Sequence, residues 1–190
     1  MQDFNEQLHQ CFQGRVCLMG LGNTDYGDDG FGVRLARRVA ERLRDVGPSH
    51  SAPSILIAET MPERFIGRVA QSGFDSLVFL DAVELGEAPG SVVLLRSMEM
   101  VARFPQVSTH KISLGTLARW VQENGRMQAH LLGVQPGSLK ASRRLTPAVQ
   151  KTVEVLCDLV CNFWGLKGSE KIPDHELRPI MRTTAEEDLC

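Results

Sequence analysis

Between Ser76 and Asp81 the chain runs Leu-Val-Phe-Leu, and this short stretch limits the possible folds more than any other. A strand made from it has no polar side to give to water, and strands of that kind occur in parallel sheets covered by helices on both faces. Similar runs recur, separated by amphipathic segments. Arg15-Val-Cys-Leu-Met-Gly20 ends in Gly20-Leu-Gly22-Asn23, where glycine permits a sharp exit from a strand. Val33, Ala36, Val39, Ala40 and Leu43 then follow at helical spacing, with Arg34, Arg37, Arg38 and Glu41 on the other side. Ile55 to Ala58, Gly90 to Leu95 and Ala129 to Val134 read as further strands. Pro62 to Gln71, Ile112 to Glu123 and Pro147 to about Trp164 read as helices, with Ser108 and Thr109 available to cap the second. This alternation predicts an α/β fold: a single three-layer domain over residues 1–164, its twisted, mostly parallel sheet of about five strands covered by helices on both faces. Residues 165–190 are polar, broken by Pro173 and Pro179, and read as a weakly ordered tail.

Composition removes several classes of function. Lys and Arg total 21 against 23 Asp and Glu, so no bulk positive field exists to hold nucleic acid. No segment approaches the roughly 18 consecutive apolar residues of a membrane span, and the first thirteen residues lack the apolar run of a secretory signal. Five scattered cysteines, an odd number, fit reduced thiols and a cytoplasmic setting better than a disulfide framework.

In sheets of this type ligands gather beyond the carboxyl ends of the strands, so acids and histidines just after strands carry the interest. Asp28 and Asp29 follow the first strand and open the first long helix. Acids there commonly meet free backbone N–H groups, but two adjacent acids need not both do so. Asp81 closes an otherwise apolar strand, and His110 stands in Ser108-Thr109-His110-Lys111 before a predicted helix. Each has an ordinary explanation: a solvated strand end for Asp81, a surface loop for His110. Together, Asp29, Asp81 and His110 form an oxygen and nitrogen donor set suited to nickel or zinc. Glu59, also at a strand end, either lines the same cleft or faces solvent. Cys157 and Cys161 share a helix face with Val153, Leu156 and Val160 and read as core. Gly20-Leu-Gly22 matches only part of a dinucleotide-binding fingerprint, and Asp25, Asp28 and Asp29 would oppose a pyrophosphate.

Gly20-Leu-Gly22-Asn23, Gly27-Asp28-Asp29-Gly30-Phe31-Gly32, Leu80-Asp81-Ala82, Ser108-Thr109-His110 and Leu132-Gly133-Val134-Gln135-Pro136 occur in this order. Their combination resembles the nickel-iron hydrogenase maturation endopeptidases from about Val16 to Trp164. The resemblance implies an endopeptidase that removes a C-terminal extension from a hydrogenase large-subunit precursor after nickel insertion. It also implies that Asp29, Asp81 and His110 are both the catalytic and the metal-recognition residues. Nickel would come from the nickel-loaded precursor, although another divalent metal would suit the same ligands. Family members often carry Asp-Gly-Gly after the second strand, where this chain has Glu59-Thr60-Met61. Two alternatives are a nickel-sensing chaperone that binds the precursor without cutting it and a peptidyl-tRNA hydrolase, which shares the Gly-Leu-Gly-Asn turn. The latter family's Thr-Arg-His-Asn segment is absent here, and the acids of Gly27-Asp-Asp-Gly30 would repel RNA.

Overall fold

The apolar runs become five strands: β1 (Val16–Leu21), β2 (Ser54–Glu59), β3 (Ser76–Ala82), β4 (Val92–Arg96) and β5 (Gln128–Val134). Six helices accompany them: α1 (Phe4–Cys11), α2 (Phe31–Val46), α3 (Glu63–Gln71), α4 (Ser97–Arg103), α5 (Leu114–Gly125) and α6 (Pro147–Phe163). This computed structural model describes residues 4–46, 52–103 and 113–165. The loop around Gly47-Pro48, the segment holding Ser108, Thr109 and His110, and the predicted tail beyond Gly165 lie outside the described residues.

The strand order is β2-β1-β3-β5-β4. β1 is parallel to β2 and β3, and β3 is parallel to β5, while β4 runs antiparallel along the edge beside β5. The expected mostly parallel α/β sheet is therefore present. Successive residues of a strand face opposite layers. Val16, Leu18, Val78, Leu80 and Leu132 pack with α1, α2 and α6, whereas Cys17, Met19, Leu77, Phe79 and Leu131 pack with α3, α5 and Met100 of α4. Both sides of β1 and β3 are buried, which is why their sequences are apolar without alternation.

Two helices escaped the sequence reading. In α1 only Phe4, Leu8 and Cys11 are buried, a stripe too short to stand out from its polar neighbours. α4 is a seven-residue helix immediately after β4. The cap of α5 is Ser113, whose hydroxyl oxygen accepts the Thr116 N–H at 3.2 Å. This local contact replaces the predicted start at Ile112 with Ser108 or Thr109 as cap. Pro147 occupies the first turn of α6 as expected.

α2 starts hard against the sheet. A Cβ on Gly32 would overlap the carbonyl oxygen of Leu80, and one on Gly20 would come within 2.7 Å of the Gly32 carbonyl oxygen. These two glycines let the helix begin directly over the ends of β1 and β3.

Candidate active site

Chain connections leave β1 toward β2 on one side, then return to β3 on the other. The crevice between the carboxyl ends of β1 and β3 is thus the topological switch point, where open α/β sheets bind ligands. Asp81 sits in β3, one residue before its end. Asp29 follows β1 in a single 3₁₀ turn, Gly27–Gly30, which packs against β3. Both carboxylates are almost wholly buried, at 8% and 3% exposure for Asp29 and Asp81.

Asp28 and Asp29 turn out to have different tasks. Asp28 is completely buried and accepts four hydrogen bonds, from Gly137 N (2.8 Å), Ser138 N (3.1 Å), Thr146 N (2.7 Å) and Thr146 Oγ1 (2.8 Å). Thr146 is the N-cap residue of α6, so this carboxylate neutralises the start of a helix more than a hundred residues away. The expectation that an acid here serves its own helix is corrected: the acid caps α6 and holds the 137–146 loop. Further backbone bonds, Gly27 N to Ser142 O at 2.7 Å and Ser142 N to Asp25 O at 2.9 Å, fasten the same loop.

With Asp28 consumed in this clasp, Asp29 is the less engaged of the two acids. Its Oδ2 accepts the Asn23 N–H at 2.6 Å, and among the described residues its Oδ1 accepts no hydrogen bond. Gly22 makes the approach possible. Its φ of 100° lies in the region glycine favours, and a Cβ there would collide with the Asp29 carbonyl oxygen. Gly22 N donates to the Glu59 carbonyl oxygen at 3.0 Å.

Glu59 contributes through its backbone. It adopts φ of 52° at a register shift between β1 and β2, while its exposed carboxylate faces Arg37 at 3.5 Å. Its side chain therefore faces solvent and a surface cation. Asp81 Oδ1 accepts the Ala82 N–H at 3.0 Å, which fixes that carboxylate at the strand end. Gln135, beyond β5, braces the adjoining loop: Oε1 accepts Leu85 N at 2.6 Å, and Nε2 donates to Glu84 Oε1 at 2.8 Å. Neither this brace nor the Asp28 clasp was recognised from sequence, though Gln135-Pro136 belonged to a quoted motif.

The structure thus brings Asp29 and Asp81 to one crevice, and His110 lies outside the described residues. Two buried carboxylates provide hard oxygen donors for a divalent cation. They also provide a base for activating water. Among the described residues there is no cluster of three His, Cys, Asp or Glu side chains able to hold a metal.

Comparison with known proteins decides the family. The profile of the hydrogenase maturation proteases, HycI, matches residues 33–163. The chain belongs to this family. Asp81 and His110 fall within the matched span, while Asp29 lies four residues before it.

Hydrogenase maturation proteases are peptide-bond hydrolases. The hydrogenase 2 maturation protease of Escherichia coli strain K12 is 29% identical over 163 residues, covering 84% of this chain and 96% of that protein. The hydrogenase expression/formation protein HupD of Thiocapsa roseopersicina is 31% identical over 155 residues, covering 74% of this chain and 67% of its own length. The crystal structure of the NiFe hydrogenase maturation protease HycI from Thermococcus kodakarensis KOD1 superposes with a TM-score of 0.73 at 28% identity, covering 84% of this chain and 99% of that one. The E. coli endopeptidase HybD gives 0.67, also at 28% identity, over 86% and 99% of the two chains. As expected, the chain is a hydrolase on an α/β scaffold. No helix among the described residues is long and apolar enough to cross a membrane.

Proposed function

We propose that this protease removes the C-terminal extension of a nickel-iron hydrogenase large-subunit precursor once nickel has been inserted. Asp29 and Asp81 contact the client's nickel, with His110 as the third ligand carried over from the family motif. The observation that supports this most is the pair of buried carboxylates flanking the β1–β3 switch point in a chain of this family. A cation that arrives with the substrate is a test of readiness. An empty precursor forfeits the coordination bonds, which disfavours its binding.

In hydrolysis, water oxygen adds to the scissile carbonyl carbon, its proton passes to a carboxylate, and the C–N bond breaks as that proton reaches the leaving amine. A cation beside the carbonyl oxygen offsets the negative charge that develops there. Cytoplasmic action belongs to the same proposal and is supported by the four free, buried cysteines among the described residues. The reading predicts no nucleic acid and no membrane among the partners. The test is mass analysis of nickel-loaded and metal-free precursor after incubation with the protein. Loss of a C-terminal peptide from the loaded form alone is expected. Tight binding with no change in mass would replace cleavage with a chaperone role.

A further inference from the structure

A second cavity lies at the other end of the sheet, with an accessible volume near 530 Å³. Gln7 and Gln10 of α1 wall it on one side, while Arg96, Ser97 and Glu99 come from the β4–α4 junction. His130 lies near the amino end of β5, paired with Arg96 across the antiparallel ladder. His130 lies three positions before Gly133, the register partner of Asp81. That spacing puts it about 10 Å farther down the strands than the carboxylate site.

His130 is the unexplained residue. It is only 8% exposed, yet its ring makes no hydrogen bond among the described residues. Its ring nitrogens are not sealed from solvent, so they face the opening. Its neighbours are otherwise occupied. Ser97 Oγ donates to Gln122 Oε1 at 2.6 Å, and Glu99 Oε2 accepts the Arg96 backbone N–H at 2.7 Å. The Arg96 guanidinium uses one nitrogen on Gln10 Oε1 at 3.1 Å. No side-chain ion pair of Arg96 is present among the described residues, so its remaining N–H groups and the imidazole N–H are donors with a common opening.

We propose that this cavity binds a small oxyanion, a carboxylate or phosphate group, held between Arg96 and His130. A planar guanidinium presents paired donors that match either group, and the imidazole adds a third. Glu99 is turned toward the Arg96 backbone N–H. The cavity volume is that of a small-metabolite site.

The experiment follows the imidazole resonances of His130 by NMR during separate titrations with succinate and inorganic phosphate, in the wild-type chain and in Arg96→Gln. A saturable shift is expected, weakened about tenfold or more by Arg96→Gln, as loss of a charge-assisted hydrogen bond implies. Asp29→Asn, at the other site, should leave it unchanged. A response to succinate alone assigns a carboxylate ligand, and a response to phosphate alone assigns a phosphate ligand. The proposal is overturned if neither anion shifts the resonances saturably, or if Arg96→Gln titrates like wild type. Precursor cleavage does not enter this readout, so the result is independent of the proposed protease specificity.

Discussion

Replacing Asp28 by Ala would remove the acceptor of four hydrogen bonds in a fully buried setting. Three of the donors are backbone N–H groups, and water would have to enter to satisfy them. Each orphaned buried donor costs about 1–3 kcal/mol, and the α6 start also loses its compensating charge, worth about 0.3–1 kcal/mol. These costs are not additive, because the 137–146 loop can open and solvate some donors. A net loss of about 4 kcal/mol is expected, at the upper end for single substitutions. Asp28→Asn is a sharper probe. Its amide oxygen can replace Oδ2 and keep three bonds, but its NH₂ then faces Thr146 N–H, donor against donor, for a loss of about 2 kcal/mol. Urea unfolding of both variants measures these losses, and hydrogen exchange at Gly137, Ser138 and Thr146 locates them. Stability of Asp28→Ala within about 1 kcal/mol of wild type, with those amides still protected, would refute the clasp.

Four further outcomes follow from the same geometry. Asp29→Asn should unfold within about 1 kcal/mol of wild type, because the amide oxygen can still accept Asn23 N–H, yet processing of loaded precursor should fall by at least about a hundredfold. Gly22→Ala should cost about 3 kcal/mol or more, through its left-handed φ and the collision with Asp29, as read from the urea midpoint. Burial, reinforced by Arg96, pushes the His130 pKa down to about 4. The unfolded chain therefore binds the extra proton first, so His130's contribution to stability is complete above about pH 6.5 and is lost as pH falls toward 4, by up to about 3 kcal/mol. Urea midpoints at pH 7.5 and 4.5 should show this loss in wild type and a smaller one in His130→Gln. Burial pushes the Cys17 thiol up to about 12 and the Cys11 thiol higher still, with Arg96 opposing it; in a Cys190→Ala background neither should react with a thiol reagent until the chain unfolds.

The sequence reveals β1 and β3 clearly because both their faces are buried, leaving no polar residue to interrupt the pattern. The same property hides direction. Val92-Val-Leu-Leu reads as a buried strand whether it runs parallel or antiparallel to β5, and its orientation follows from the path of the chain around the edge. α1 buries just three side chains, so its periodicity is lost among glutamines. At the site, the positions of Asp29 and Asp81 were legible because strand ends in this fold class face ligands. Which of the two adjacent acids served structure was not, since the answer depends on donors 109 to 118 residues distant. The setting of His130 is hidden for a related reason: it is created by α1 and the β4–α4 junction, remote elements that bring a cavity and, among the described residues, no hydrogen-bond partner for its ring.

The most direct measurement is the ratio of cleavage rates on nickel-loaded and metal-free precursor, taken for wild type and for Asp81→Asn. If Asp29 and Asp81 grip the client's cation, wild type should favour the loaded form by at least about a hundredfold, roughly the worth of two coordination bonds lost in part to desolvation, and Asp81→Asn should bring the ratio close to one. Equal wild-type rates on the two precursors, or an unchanged preference in Asp81→Asn, would contradict the account.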